Sequence, residues 1–389
     1  MTSKHAVVVG GGIAGLATAA ALQRGSWQVT LVERQSALSE VGAGITLWPN
    51  ALRALDALGL GGRIRERGLA QSSGGIRDSR GRWLSRTDTA ALVARYGDGV
   101  VVVERAELLD ALQGACGEVD IRTSTEVTAA DGEGTVTIAP SGSGGNGVGE
   151  VLRGDVVIGA DGVWSAVRAA LWPHATVRST DTLAARLVGR LVGSSEVAGG
   201  EIWNGGGDYA GVAPLPDGRL YAYLAVPVAA EPNGEVDWWQ QRFAEWPFPL
   251  PQVLADAESS QLLLNELYEL TPLDTLVRGR IALVGDAAHA MTPNLGQGAC
   301  QALEDAVELS AVLDHRLAEG DITQRLSLYN RRRLPRVHRI AKWSHSAGVA
   351  ASLAGRAPTT FRNTVIGLLP AGLLLRRLDT VIDWHAPGT

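Results

Sequence analysis

The residues that could bind a phosphorylated cofactor come first in the chain. Gly10, Gly12 and Gly15 follow the apolar run HAVVV with the spacing G-x-G-x-x-G, and Glu33 ends a second such run, WQVTLV. This order is typical of a strand–helix–strand dinucleotide site, in which glycines let the backbone approach a pyrophosphate and a helix N-terminus supplies free N–H groups. Glu33 is placed to accept hydrogen bonds from an adenosine ribose. A glycine-rich turn without a ligand is the alternative.

Two further carboxylates follow β-type runs much later in the chain. Asp161 ends DVVIGAD, and Asp286 ends RIALVGD, which a loop with Pro293, Gly296 and Gly298 connects to the helix-like CQALEDAVELSAVL. FAD has a ribityl chain and a flat ring, and so needs a remote acceptor and a loop whose backbone can approach the ring. A helix N-terminus near Gly298 would favour negative charge on that ring by roughly 0.3–1 kcal/mol. Alternatively, Asp161 only closes a turn and Asp286 only caps a helix.

Bulk properties argue against several other classes of function. The chain has 389 residues and a net charge of −6, whereas nucleic-acid binding needs a concentrated basic surface. Cys116 and Cys300 cannot form a disulfide framework, and no Cys/His cluster has metal-ligand spacing. The start, MTSKHAVVVGGG, has no signal-peptide layout, and no run of about 18 apolar residues offers a membrane span. We therefore expect a cytoplasmic protein without a metal, a nucleic-acid partner or a membrane span.

Together these stretches resemble the three fingerprints of the single-component FAD-dependent aromatic hydroxylases, which are flavoprotein monooxygenases with a para-hydroxybenzoate hydroxylase-like fold. The stretches 42–60 and 102–112, GAGITLWPNALRALDALGL and VVERAELLDAL, resemble two more family segments in the same order. The resemblance implies non-covalent FAD, with chemistry carried by the flavin rather than by a defined catalytic side chain, and Pro293 near the flavin. It implies cofactor contacts by Gly10, Gly12, Ala14, Gly15, Glu33, Arg34, Gly44, Ile45, Thr46, Arg105, Val127, Asp161, Asp286, Pro293, Gly296, Gln297 and Gly298.

The resemblance also implies an activity. The protein would be an NAD(P)H-dependent hydroxylase that transfers oxygen from O2 to an electron-rich, for example secondary-metabolite, aromatic through a flavin C4a-hydroperoxide. NAD(P)H would bind only transiently, because no second dinucleotide fold follows: the glycine-rich 142–147 precedes a β-type run rather than a helix, and we interpret it as part of a hairpin loop. The alternatives are an FAD-dependent reductase or dehydrogenase and a non-catalytic flavin-binding protein.

The family fold predicts how the chain is organised. It is a mixed α/β fold, in which a Rossmann-like βαβ domain is threaded with a mostly antiparallel sheet and followed by helices. The predicted FAD-binding domain comprises 1–72, 99–175 and 276–335, the substrate domain comprises 73–98 and 176–275, and a C-terminal helical segment comprises 336–389. The basic run 331–333 with Arg336 and Arg339 is interpreted as a solvated helix face rather than as a partner site.

Candidate substrate contacts lie on the predicted sheet. They are Trp203, Tyr209, Tyr221 and Tyr223, and strand alternation places Tyr221 and Tyr223 on one face. The stretch NGGGDYAGVAPL contains no arginine to hold an acid, which favours a neutral and larger aromatic substrate. The apolar tail, VIGLLPAGLLLRRLDTVIDW, is expected to pack on the body or on a twin subunit rather than on a membrane, in a monomer or homodimer.

Overall fold

The computed structural model describes residues 4–38, 43–139, 149–191, 197–314, 320–369 and 378–387. The strands are, in chain order, β1 His5–Val9, β2 Gln28–Val32, β3 Gly44–Leu47, β4 Leu69–Ala70, β5 Gly74–Asp78, β6 Trp83–Thr87, β7 Val101–Glu104, β8 Asp120–Arg122, β9 Val127–Asp131, β10 Thr135–Ile138, β11 Val151–Arg153, β12 Val156–Gly159, β13 Val177–Arg190, β14 Gly200–Trp203, β15 Tyr209–Pro214, β16 Arg219–Pro227, β17 Leu263–Leu270, β18 Val277–Arg278 and β19 Ile281–Leu283. The helices are α1 Ile13–Arg24, α2 Pro49–Ala57, α3 Gly61–Arg67, α4 Thr89–Tyr96, α5 Arg105–Gly114, α6 Ala166–Leu171, α7 Val236–Arg242, α8 Leu250–Ala255, α9 Asp286–His289, α10 Gly298–Leu313, α11 Ile322–Ala351 and α12 Arg356–Leu368. The predicted mixed α/β fold is confirmed.

The first sheet collects strands from widely separated parts of the chain. Its order is β18-β19-β12-β1-β2-β8, and all pairs are parallel except β18 with β19. β1 is rich in valine and buried on both faces, as expected of a central parallel strand. The alanine-rich helix α1 packs closely over this sheet and against α10. Because parallel strands end at the same edge, the loops after β1, β2, β12 and β19 come together there.

The second large sheet has the order β17-β13-β16-β15-β14-β5-β6 and is antiparallel apart from the β14–β5 pair. One face packs on α7 and α8 through a core that includes Trp239, Phe243 and Leu254. β5 and β6 join this sheet from an early part of the chain, between residues 74 and 87. This arrangement supports the predicted substrate domain of 73–98 and 176–275, and we propose that division for the protein. Two smaller sheets are β3-β7-β4 and β11-β10-β9.

The glycine-rich stretch 142–147 lies outside the described residues. The strands that precede and follow it, β10 and β11, pair antiparallel from Thr135↔Arg153 to Thr137↔Val151.

The basic run on α11 differs from its prediction. Arg333 is only 1% exposed, and its Nε donates to Asp305 Oδ1 at 2.7 Å while its Nη1 contacts Glu304. Arg336 also pairs with Glu304, with an Nε–Oε2 distance of 2.6 Å. The interpretation of this run as a solvated face is therefore wrong for Arg333 and Arg336. Their guanidinium groups form ion pairs with Glu304 and Asp305 on the neighbouring helix α10.

The tail packs on the body, as predicted, at 378–384, whereas Val365 and Leu368 at its described start are exposed. Val381 and Ile382 are buried, and Arg53 Nε on α2 donates to the Trp384 carbonyl at 2.6 Å. Trp384 Nε1 in turn donates to Glu308 Oε1 at 3.0 Å. Within the described part of the chain, no helix has both the length and the apolar character that crossing a bilayer requires.

Candidate active site

A long cavity of about 590 Å³ runs along the edge where β1, β2 and β12 end. We call it the strand-edge cavity. It brings together residues from widely separated segments of the chain, and it is lined by all of the predicted cofactor contacts except Gly15 and Gln297. Its lining includes Gly10, Gly12, Ala14, Glu33, Arg34, Gly44, Ile45, Thr46, Arg105, Val127, Asp161, Asp286, Pro293, Gly296 and Gly298.

The glycines after β1 have two different roles. A Cβ added to Gly12, beside the start of α1, would meet no atom within 4 Å, so its backbone faces open space in the cavity. A Cβ on Gly15 would lie 1.8 Å from the Gly10 carbonyl oxygen. Gly15 therefore allows α1 to approach β1, which explains why it does not line the cavity, and Gly12 leaves room for a phosphate at the helix N-terminus.

Backbone donors hold the carboxylate of Glu33 at one end of the strand-edge cavity. Gly11 N donates to Oε2 at 2.6 Å, and Gln35 N donates to Oε1 at 2.8 Å. Each carboxylate oxygen can accept a further hydrogen bond, so Glu33 can still receive the hydroxyls of a ribose. Val127, which is 7% exposed, provides an apolar wall at the same cavity.

The two later carboxylates differ in what they bind. Asp161 accepts from Ser165 Oγ at 2.5 Å and from Ala166 N at 2.7 Å, so it holds the start of α6 while lining the cavity. Burial raises the pKa of Asp161, and these hydrogen bonds partly counter that shift. Asp286 is exposed to the cavity and is the first residue of α9, whose N-cap is Gly285, so no side chain caps this helix. The alternative that Asp286 caps a helix is therefore wrong, and its carboxylate can accept hydrogen bonds from a ligand.

The other end of the strand-edge cavity is formed by the loop before α10. Pro293–Leu295 forms a 3-10 turn, and Gly296 follows with a φ of +60°, which a glycine adopts without strain. A Cβ on Gly298 would meet only Asp286 Oδ1, at 3.9 Å. A Cβ on Gly44 of β3 would lie 2.6 Å from the Tyr221 ring. The opening at Gly298 and the wall at Gly44 and Tyr221 leave a space that fits the flat ring of FAD.

We expect Glu33→Ala and Asp286→Ala each to weaken FAD retention. Each change removes an acceptor for cofactor hydroxyls, at a cost of roughly 1–3 kcal/mol. FAD occupancy after gel filtration and the Kd of the apoprotein for FAD would measure the effect. Glu118→Ala is the matched control, because that carboxylate is exposed and lies outside the cavity. Unchanged occupancy in either cavity variant would show that its side chain does not hold the cofactor.

A second cavity of about 870 Å³ is also lined by Tyr221 and Tyr223. We call it the apolar cavity. Five residues line both cavities: Thr46, Tyr221, Tyr223, Pro293 and Gly296. The two spaces therefore meet at the end where the flavin ring fits. Tyr221 and Tyr223 share one face of β16, as predicted from strand alternation, with ring centroids 6.4 Å apart.

Several walls of the apolar cavity come from parts of the chain that the sequence patterns do not associate with the site. Trp203 lines it, whereas Tyr209 lines only the strand-edge cavity, and Gln297, predicted to bind the cofactor, lies on the apolar side. Sequence reasoning missed Trp48, Trp343, Ile366, Leu369, Val381 and Ile382. The signal in the tail was only its apolar composition, which does not distinguish packing from lining a cavity.

Charged groups are sparse around the apolar cavity. Of the described residues that line it, Arg86 is the one cation, and its exposed side chain lies over the Trp83 ring, with 4.9 Å from Cζ to the centroid. Asp88, also exposed, caps α4 by accepting from Ala91 N. Glu201 is the other carboxylate, on β14. Alternation along β14 places it on the same face as Trp203, which is the signal that could have identified it.

Comparisons with known proteins also indicate an FAD-binding protein, over nearly the whole length of the chain. A family model described as "FAD binding domain" matches residues 4–344. The chain is 32% identical to the aurachin C monooxygenase/isomerase of Stigmatella aurantiaca, over 89% of each chain. It is also 32% identical to the 2-heptyl-3-hydroxy-4(1H)-quinolone synthase of Pseudomonas aeruginosa, over 94% of each chain. Its structure is similar to that of Klebsiella pneumoniae HpxO complexed with FAD and uric acid, with a TM-score of 0.85, 26% identity and coverage of 99% of this chain and 97% of that one.

Proposed function

The chain belongs to the FAD-dependent aromatic hydroxylases and is a flavoprotein monooxygenase with FAD as its cofactor, and from this premise we propose that its substrate is a neutral, electron-rich heteroaromatic ring with a large apolar substituent. The observation that carries this proposal is the apolar cavity, whose volume of about 870 Å³ and aromatic and aliphatic walls suit a ring with an alkyl chain. The alternatives of a reductase, a dehydrogenase or a non-catalytic flavin protein are not favoured by the relatives, which are monooxygenases and hydroxylases.

The names of two relatives indicate different substrate chemistry. The Pseudomonas aeruginosa relative is named for a product with a heptyl chain on a 4(1H)-quinolone ring, and the structural neighbour binds uric acid. The apolar cavity has only the exposed Arg86 as a cation among its described lining residues. An anionic substrate held deep in the apolar cavity, away from the strand-edge cavity, would lack a charge partner among the described lining residues, which is costly. The alkylated neutral ring is therefore the better fit.

The chain's residues divide the work between the two cavities. The chemistry that FAD supplies when bound is the activation of O2 with electrons that we propose come from NAD(P)H. Glu33, Gly12 and Asp286 would hold the ends and the middle of the cofactor, and the loop Pro293–Leu295 with Gly296 would position its ring beside Tyr221 and Tyr223. The apolar walls of the second cavity would orient the substrate ring and exclude water during oxygen transfer. NAD(P)H would bind transiently, because the described residues form one parallel sheet of the dinucleotide-binding type.

A substrate panel tests this proposal. The first compound is 2-heptyl-4(1H)-quinolone, the deoxy form of the product for which the relative is named. We expect it to stimulate NAD(P)H oxidation at least about tenfold more than uric acid or 3-hydroxybenzoate does. The reason is that burying an unpaired charge costs more than about 1.4 kcal/mol. Product analysis by mass spectrometry should show the addition of one oxygen atom. Stimulation by uric acid or 3-hydroxybenzoate, with none by the quinolone, would contradict the proposed substrate class.

A further inference from the structure

We infer that Glu201 is the hydrogen-bond acceptor that selects the substrate: its carboxylate receives an N–H or O–H carried by the substrate ring, and it disfavours rings that bear a carboxylate. This inference rests on the proposed function, because it specifies the polar group that a neutral substrate must carry. It assigns a binding role to a residue that lies between the sheet and the apolar cavity, outside the proposed FAD contacts.

Glu201 lies in a row of residues that crosses three neighbouring strands of the second sheet, β14, β15 and β16. In the register of this sheet Glu201 on β14 lies opposite Gly211 on β15, and Gly211 lies opposite Tyr223 on β16. Directly opposed residues have side chains on the same face of a sheet. All three line the apolar cavity. The row therefore presents its polar atoms to the space where the substrate would bind.

Gly211 is what allows the outer two residues of the row to meet. A Cβ at this position would lie 2.0 Å from Tyr223 Cε1 and 2.8 Å from the Tyr223 hydroxyl oxygen. Because glycine has no side chain, the Tyr223 ring lies across β15, and its hydroxyl donates to Glu201 Oε1. Trp203 Nε1 donates to Oε2 at 2.6 Å from the other side. The carboxylate is therefore held in place by two donors.

The carboxylate of Glu201 retains the capacity to accept more. Two carboxylate oxygens can accept about four hydrogen bonds, and Tyr223 and Trp203 account for two. None of the described residues forms a salt bridge with Glu201. The residue lies deep in the protein, and it lines the apolar cavity. Burial raises the pKa of the Glu201 carboxyl, and the hydrogen bonds from Tyr223 and Trp203 counter that shift. A ligand that donates a further hydrogen bond is what this environment favours.

The same arrangement disfavours a carboxylated ring. Such a ligand would bring a second negative charge close to Glu201 in a cavity with no deep cation among its described lining residues. Arg86 is exposed, so solvent screens its charge and weakens its interaction with a buried carboxylate. Charge therefore complements the hydrogen-bond preference, and both favour a neutral donor.

The test compares ligands that differ only in the donor. The probes are 2-heptyl-4(1H)-quinolone with its N-methyl derivative and 4-heptylphenol with 4-heptylanisole, so that the two pairs distinguish an N–H from an O–H. Kd is measured by the change in the absorbance of FAD bound to the holoenzyme. For at least one pair, we expect the wild type to bind the donor form at least about tenfold more tightly than the methylated form. Hydrogen bonds to charged groups are stronger than those between neutral groups. In Glu201→Gln, this ratio should fall below about threefold, while FAD occupancy and the melting temperature stay close to wild type.

Asp88→Asn is the matched control. It makes the same carboxyl-to-amide change at the exposed carboxylate of the same cavity, and asparagine remains a good helix N-cap. The donor preference should survive in this variant. A preference that also survives in Glu201→Gln, or is lost equally in Asp88→Asn, would overturn the inference and leave the substrate class intact. If the wild type binds neither donor form, the proposed substrate class fails and the inference fails with it.

Discussion

Gly298→Val is expected to disrupt the flavin end of the site without disturbing the fold of the apoprotein. A Cβ at Gly298 meets only Asp286 Oδ1, at 3.9 Å, so the valine side chain would extend into the strand-edge cavity. Overpacking a filled site typically costs about 1–3 kcal/mol, which corresponds to a rise in the Kd for FAD of roughly fivefold to a hundredfold. FAD that does bind would have a displaced ring, so product formed per NAD(P)H consumed should fall and hydrogen peroxide should appear.

The measurements separate a positioning effect from a folding effect. The melting temperature of the apoprotein should be close to wild type, whereas the stabilisation by added FAD should shrink, because ligand stabilisation follows affinity. Gly62→Val is the matched control, since Gly62 in α3 is exposed, lies outside the cavity, and a Cβ on it would meet nothing within 4 Å. If Gly298→Val retains normal FAD affinity and coupling, the loop before α10 does not contact the flavin ring.

Arg333→Met is expected to destabilise the protein by about 3–5 kcal/mol at neutral pH. Arg333, Glu304 and Asp305 are all at most 1% exposed, and the guanidinium contacts both carboxylates. Burial alone would raise the pKa of Asp305, but Arg333 and His289 hold it down at about 2. Methionine would fill much of the same volume, but the buried carboxylates of Glu304 and Asp305 would lose the positive charge and the hydrogen bonds of Arg333.

The effect should depend on pH with a definite sign. Because the folded-state pKa of Asp305 is lowered, its stabilising contribution is present above its unfolded pKa of about 3.9 and is lost as pH falls toward 2. The deficit of Arg333→Met, measured by denaturant unfolding, should therefore be similar at pH 7 and pH 5 and should shrink as the pH falls from about 4 toward 2. Arg331→Met on the same helix is the control, since Arg331 is exposed and should change stability by less than about 0.5 kcal/mol. Equal effects of the two changes would show that the buried cluster contributes no special stability.

This cluster also supports the site, because it lies directly behind the loop before α10. Asn50 Nδ2 donates to Gln297 Oε1 at 3.0 Å and to Glu304 Oε1 at 2.7 Å. Gln301 Nε2 donates to the same Gln297 oxygen at 3.0 Å. Gln297, predicted as a cofactor contact, is fully buried and links the ion cluster to the loop instead of lining the strand-edge cavity. Loss of Arg333 should therefore also lower FAD occupancy.

Much of the candidate cofactor site could be predicted from local sequence patterns. Glycine spacing after β1, the acid at the end of β2 and the Gly/Pro loop before α10 depend on backbone rules that act within a few residues. The parallel sheet then brings Glu33, Asp161 and Asp286 to one edge, because the loops after its strands share that edge. Local pattern was insufficient for Asp161, whose oxygens bind the start of α6, since the same Asp-Gly sequence suits a cap and a ligand contact equally well.

The fold class and the cofactor follow from local sequence patterns, whereas the surroundings of the proposed substrate cavity follow from long-range packing. Strand and helix periodicity and glycine positions are local properties, so they can be read along the chain. The burial of Arg333 depends on acids 28 and 29 residues away on another helix. The apolar cavity depends on a tail that returns to α2, and the row of Glu201, Gly211 and Tyr223 depends on the register of three strands. Charge and hydropathy along the chain do not specify such pairings, because the same side chain is solvated or buried according to which distant partner packs against it.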